Sequence, residues 1–340
     1  MNINYKSIFP KLNLHYDFTK CIICLEPHDN DNPNKKLTDE HIVPEFIGGK
    51  IVIKNVCKEC NSTLGYALEG PLSNNIYFKS YTYANKIKGK KGKLTNPLAG
   101  EYTYNGVRFR FESDFSLYQL PIINPLPTTD GGFELGVSID VKDLKTIEND
   151  IFKAVSRKLK KRGKSLKENK LREDIRKVIE HSKSNIKVIN QPELQVTFSL
   201  DFDQIALLAL KIVYEIIAWL LGEDIISLDQ FDLIRNSLKT LKLHPKIIYT
   251  NEDFYKNFRK FLVENPYYKT NNLTYIDDIF KENKTIVVFI KGYCSIRLLN
   301  LWYSFKMPEY LKDAFLFFTS DSKTGEVDFF QEDILVSPEQ

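Results

Sequence analysis

Four of the five cysteines in this 340-residue chain fall close together, as CIIC at 21–24 and CKEC at 57–60, while Cys294 stands alone. A two-residue gap lets both sulfurs of a pair reach one ion at about 2.3 Å, so Cys21, Cys24, Cys57 and Cys60 are expected to hold a tetrahedral zinc. Four protein ligands leave no open coordination position. Such a zinc is structural: it pins two chain segments together and does no chemistry. Thirty-two residues separate the pairs, more than an ordinary zinc-ribbon gap, so a further substructure should lie inside the loop that the metal closes. Cys294, within an apolar run, reads as a small buried hydrophobe.

That loop contains TDEHIVPEFIGGKIVIKN and runs directly into VCKECNSTLG. A histidine is the natural base for turning water into hydroxide near neutral pH. A hard divalent cation on one or two protein oxygens can neutralise charge on a phosphate and its leaving oxygen; Glu40 and Asn61 supply such oxygens. If HIVP and IVIKN pair as antiparallel strands, with Gly48-Gly49 in the connection and a helix beginning near Cys57, then His41 and Asn55 can face one another.

The order Glu40-His41-Ile42-Val43-Pro44, Gly48-Gly49, Asn55 fourteen residues after His41, and Cys57-x-x-Cys60-Asn61 resembles the HNH nucleases of the ββα-metal class, in the form stapled by a four-cysteine zinc. The resemblance covers residues 18–70. It implies that His41 activates the water, that Glu40 and Asn61 hold a catalytic Mg2+ or Mn2+, and that Asn55 orients the loop or His41. In one respect the chain departs from the family, which most often has Asp immediately before the histidine. Here Glu40 takes that place with Asp39 behind it, which makes Asp39 an alternative metal ligand. His28 lies in the same loop and is set aside as a zinc ligand because four cysteines are available.

The formal net charge of +4 is unevenly spread. Residues 153–177 hold 12 basic and 3 acidic side chains, and residues 86–93 hold 5 basic and none acidic, whereas residues 190–340 hold 16 basic and 22 acidic. A phosphate backbone should therefore be gripped by the first half, with Lys86, Lys88, Lys90, Lys91, Lys158, Lys160, Lys161 and Arg162 as its contacts. The competing reading of the longer run is a solvated helix face.

Elements able to position these groups can be read from the pattern. Residues 1–70 have little core of their own and should depend on metal. YFKSYTYA, EYTYNGVRFRFES and FELGVSIDV are expected as strands, with KIKGKKGK a connecting loop. Residues 143–181 read as two helices broken near Gly163, and IKVINQPELQVTFSLD as strands split by Pro192. The strongest helix runs from Asp203, capped by Asp201 or Asp203, to a terminal Gly222. Its Lys211 and Glu215 are i,i+4 neighbours expected to form a local ion pair or a solvated face, and they interrupt the apolar run that a membrane span would need. Helices at 229–242 and 252–264 and a hairpin around Ser322–Gly325 complete the reading.

The fold class expected is α+β: a small N-terminal zinc-stapled ββα-metal domain (1–70), a strand-and-basic-helix region contacting nucleic acid (71–189), and a mixed α/β C-terminal domain for recognition or sensing (190–340). Without an export signal, the expected location is cytoplasmic. The expected activity is metal-dependent hydrolysis of phosphodiester bonds in DNA, with RNA as another substrate open to the same chemistry, in a restriction or anti-phage defence setting. A homodimer would serve double-strand cleavage, and a small ligand or protein would activate the C-terminal region. The alternative is a zinc-stapled nucleic-acid-binding regulatory or assembly subunit with an inactive HNH site.

Overall fold

The computed structural model describes residues 14–88, 94, 96–104, 106–129, 132–163, 167–182, 198–249, 260, 280–314 and 316–330. In chain order, a turn carrying Cys21 and Cys24 precedes strand β1 (Leu37–His41), which pairs antiparallel with β2 (Val52–Cys57). Helix α1 (Lys58–Leu64) follows at once. It continues through a π turn (Gly65–Glu69) into α2 (Gly70–Asn74), and α3 (Ile76–Ala84) closes the segment. YFKSYTYA is thus a helix and not a strand. Asn75 caps it by accepting from the backbone N–H of Tyr77, and Phe78 is fully buried on one face.

Residues 98–198 form a compact unit of their own. It contains the sheet β3 (Gly100–Tyr104), β4 (Val107–Phe111) and β5 (Leu117–Gln119), and the hairpin β6 (Ile122–Pro127) and β7 (Phe133–Ser138). Helices α4 (Ile147–Lys161) and α5 (Glu168–Ser182) then pack through Ile147, Ile151, Val155 and Ile175. Gly163, at φ +68°, takes the left-handed conformation that ends α4 where the sequence placed the break. The strands expected around Pro192 and the helix expected at 252–264 fall outside the described residues, apart from residues 198–201 of the first stretch and Lys260 of the second.

The other compact unit joins residues 1–97 to 199–340. Its C-terminal part opens with α6 (Phe202–Ile226), capped by Asp201, which accepts from Gln204 N–H. Gly222 interrupts the helix at φ +75°, with the His15 ring packed where a Cβ would stand. Next come α7 (Asp232–Thr240) and a six-stranded antiparallel sheet built from β8 (Ile248–Tyr249), β9 (Lys284–Ile290), β10 (Tyr293–Leu298), β11 (Leu301–Lys306), β12 (Leu316–Asp321) and β13 (Val327–Phe330). Its order is β13-β12-β9-β10-β11-β8.

A helix that is apolar all round must be covered all round, and α6 is. Its core residues join one cluster with Ile22, Ile42, Ile53, Val56, Leu64, Leu68 and Phe78 of the N-terminal segment, and with Val287, Phe289, Cys294, Ile296 and Phe318 of the sheet. The N-terminal segment therefore borrows its core from α6, and the boundaries expected at 70 and 189 are not those of the compact units. Although α6 is long and apolar enough to cross a membrane, 94% of its apolar window is buried inside the protein, which fits the core helix of a soluble fold. Cys294 is fully buried, and burial pushes its thiol well above the ordinary range, as befits a packing residue.

Candidate active site

The zinc ligands come from two turns that the fold brings together. Cys21 and Cys24 flank a turn closed by Leu25 N–H to the Cys21 carbonyl, with Leu25 itself left-handed. Cys57 ends β2 and Cys60 lies in the first turn of α1. The four sulfurs lie within 4.8 Å of one another, and Cys24 and Cys57 are 3.8 Å apart. A tetrahedron of bonds about 2.3 Å long requires sulfurs about 3.8 Å apart. None of the four is in a disulfide, and the cluster fits a structural zinc. His28 is not part of it: its Nδ1 accepts from Leu37 N–H and its Nε2 meets Asn30 Oδ1.

Register decides which side chains share a face. His41 pairs with Val52, Glu40 with Ile53 and Asp39 with Lys54, and then the ladder skips Asn55 to pair Thr38 with Val56. Asp39, half-exposed His41, Val52 and Lys54 thus line the outer face, while Glu40 and Asn55 point inward and are almost wholly buried. Strands, Gly-Gly connection and following helix are arranged as the sequence implied, but His41 faces Val52, and Asn55 lies on the opposite side of the ribbon. Strand alternation is the physical reason: Asn55 stands three residues, an odd number, beyond the partner of His41.

Asn61, in α1, donates through Nδ2 to Thr38 Oγ1 at 2.9 Å and to the Asp39 carbonyl at 3.3 Å. Those bonds tie the helix to β1, and among the described residues the amide oxygen accepts no hydrogen bond. The Asp39 carboxylate is 68% exposed, and Lys54 Nζ stands 4.0 Å from it. The imidazole of His41 has no hydrogen-bond partner among the described residues.

Behind the ribbon lies a group of charges that sequence reasoning missed. Lys211 Nζ meets the Glu40 carboxylate, stands 2.9 Å from Glu69 Oε1, and donates to the His41 carbonyl at 3.3 Å. Asn55 Nδ2 donates to Glu215. Lys211 and Glu215 are therefore not a local pair, for both reach across to the N-terminal segment. Their one signal in the sequence was a cation and an anion inside a helix otherwise apolar on every side. Burial alone would lower the Lys211 ammonium, but Glu40, Glu69 and Glu215 outweigh it and hold it above its usual range. Burial pushes Glu215 up to about 8 against the pull of Lys211, and raises Glu40 in the same way. With its carboxylate engaged by Lys211, Glu40 is not the open oxygen ligand expected from the resemblance; Asp39 and Asn61 are the accessible ones.

Of the basic residues, Lys86 and Lys88 are exposed just beyond α3, and Lys90 and Lys91 lie outside the described residues. In the other unit, Lys153, Arg172, Arg176 and Lys177, four of the run's twelve cations, are engaged in ion pairs with Asp150, Glu148, Glu168 and Glu173. Lys158, Lys160 and Lys161 are exposed in the last turn of α4, with Arg162 at its C-cap. Cations also suit a helix C-terminus without any ligand.

Residues 21–77 match the family model for HNH endonucleases. With the converging cysteines, this makes the N-terminal segment an HNH domain with a metal-binding cluster, followed by a larger mixed α/β region. No curated protein and no solved structure matches the chain.

Proposed function

We propose that the protein is a metal-dependent HNH endonuclease that hydrolyses phosphodiester bonds in DNA, with His41 as general base. The observation that carries this reading is that His41 and Asp39 share one face of β1, that Asn61 of α1 is bonded to the same strand, and that four cysteines staple the segment. Asp39 and Asn61 would hold a hard divalent cation, Mg2+ or Mn2+, since carboxylate and amide oxygens are the ligands such ions take. When bound, that ion supplies charge neutralisation at the scissile phosphate and its leaving oxygen. The chain's own part is to present an unencumbered imidazole to an attacking water, which His41 deprotonates at a ring nitrogen. Asn55, buried on the other side, acts on His41 only through β2 and is a positioning residue.

HNH chemistry grips backbone and reads no sequence by itself, so substrate choice belongs to the rest of the chain. Exposed Lys86, Lys88, Lys158, Lys160, Lys161 and Arg162 would bind phosphates, and a restriction or anti-phage defence role suits a nuclease attached to so large a partner region. A supercoiled plasmid with Mg2+ or Mn2+ tests the reading: wild type nicks it, and His41→Ala loses at least about 100-fold in rate, the usual scale for a general base. Equal nicking by both proteins would refute the assignment of His41.

One observation favours a second reading, a nucleic-acid-binding subunit with an idle HNH site: the acid next to His41 is sequestered by Lys211, and Val52 is its cross-strand neighbour. Absence of cleavage of DNA or RNA under both metals, with DNA binding intact, would select it.

A further inference from the structure

We infer that Lys211 and Glu215 of α6 are positioning residues of the HNH site, holding its three elements in register from behind. The inference rests on the nuclease reading for its effect on rate, but not for its geometry. The two side chains stand one helical turn apart, at i and i+4, on one face of α6. Between them they contact both strands of the ββα unit and the π turn that continues its helix. Lys211 takes β1 through the Glu40 carboxylate and through the main-chain oxygen of His41 itself, and takes the π turn behind α1 through Glu69. Glu215 takes β2 through Asn55 at its bulge.

Packing does not require these ions. Their neighbours along α6, from Ile205 to Leu220, are buried and, apart from Lys211 and Glu215, apolar, aromatic or alanine, and a buried ion pair is commonly matched in stability by apolar side chains of similar volume. What ions add is direction. A hydrophobic contact tolerates sliding of a strand along a helix, whereas Lys211 is satisfied only when β1, the π turn and α6 are in one relative position. The Glu69 contact is a close ionic one with no aligned hydrogen bond, since Glu69 Oε1 lacks a hydrogen-bond partner at 2.9 Å from Nζ; the pull on it is therefore electrostatic. Asn55 Oδ1 is likewise buried without a partner, a cost that the Glu215 contact offsets only on the amide's other side. The site is built for placement of the ribbon, with His41 at its end.

The test uses the full chain as wild type, Lys211→Met, Lys211→Arg, Glu215→Gln and the double variant Glu40→Gln/Lys211→Met, with zinc content and melting temperature measured for each. The double variant removes both buried charges together, which keeps the question open to a folded protein. Two readouts follow. In histidine-selective carbon-labelled spectra, the His41 signal, identified by its loss in His41→Ala, should shift or broaden in Lys211→Met and in the double variant, while those of His28, His181 and His244 stay in place. In plasmid cleavage, the double variant should keep wild-type zinc and substrate KM but lose about 10- to 100-fold in kcat, the scale of supporting residues around a metal site, with Lys211→Arg recovering part of it. A double variant with wild-type zinc, an unmoved His41 signal and wild-type kcat would overturn the inference. If the wild type itself cuts nothing, the nuclease reading falls, and the His41 signal alone still decides whether Lys211 positions the ribbon.

Discussion

Cys57 closes β2 and opens α1, so it joins the zinc staple to the partner strand of β1 and to the helix that carries Asn61. Cys57→Ser is expected to lower zinc content below one ion per chain and to cut the melting temperature sharply, because structural zinc is folding free energy; unchanged metal analysis and melting would contradict it. Glu215 makes a prediction of opposite sign to most carboxylates. Burial raises it from an ordinary 4.5 to about 8 in the folded chain. The unfolded chain therefore releases this proton first, and the stability that the protonated group contributes is full below about pH 4.5 and is lost as pH rises toward 8. Glu215→Gln stays neutral throughout. Its melting temperature, compared with wild type, should gain steadily between pH 5 and 8, and a constant difference across that window would show that Glu215 ionises normally.

At the scale of elements, the connection between β1 and β2 is held by the β12–β13 hairpin. A Cβ on Gly48, at φ +98°, would lie 2.2 Å from the Ser322 carbonyl oxygen, and one on Gly325 would lie 2.0 Å from Lys50 Cγ. Gly48→Ala therefore meets backbone as well as an unfavourable φ and should cost about 2 kcal/mol or more, whereas Gly325→Ala meets only a flexible side chain apart from its own φ and should cost less; denaturant midpoints of the two variants check the order. Here the sequence was only partly legible. The Gly-Gly turn, the strand pair and the helix at Cys57 could be read because each has local chemistry. Asn55 could not be placed, since its face depends on which residue of IVIKN pairs with His41, and nothing in the sequence announces that this is Val52. YFKSYTYA was misread because aromatic richness suggests a strand, while Asn75 and the burial of Phe78 make it a helix. Lys211 and Glu215 drew notice as charges in an apolar helix, but their partners Glu40, Glu69 and Asn55 all lie far away in the N-terminal segment, a separation no local pattern encodes.

For the whole molecule, the proposed function would give the two compact units different tasks. In the unit of residues 98–198, the exposed tip of α4 should contribute the salt dependence of nucleic-acid binding. Replacing Lys158, Lys160 and Lys161 together by Ala should flatten the slope of log affinity against log salt by about 2 to 3, measured by anisotropy on a random duplex without divalent metal. An unaltered slope would mean that these lysines are only a solvated helix end. In the other unit, α6 is the middle layer, and residues 1–97 by themselves would expose Ile22, Ile42, Ile53, Val56, Leu64, Leu68 and Phe78, none more than 2% exposed in the intact chain.

That layering also sets a timetable. The cysteines, His41 and Asn61 leave the ribosome first, but the helix that completes their core ends at Ile226. At ~5–20 residues per second, on the order of ten seconds of synthesis separate the HNH segment from α6. During that interval the zinc ligands exist without the layer that orients them, so the newborn chain carries the ingredients of a nuclease in unassembled form. A nuclease assembled in this way would stay idle until α6 has been made, because of the order of its parts along the chain.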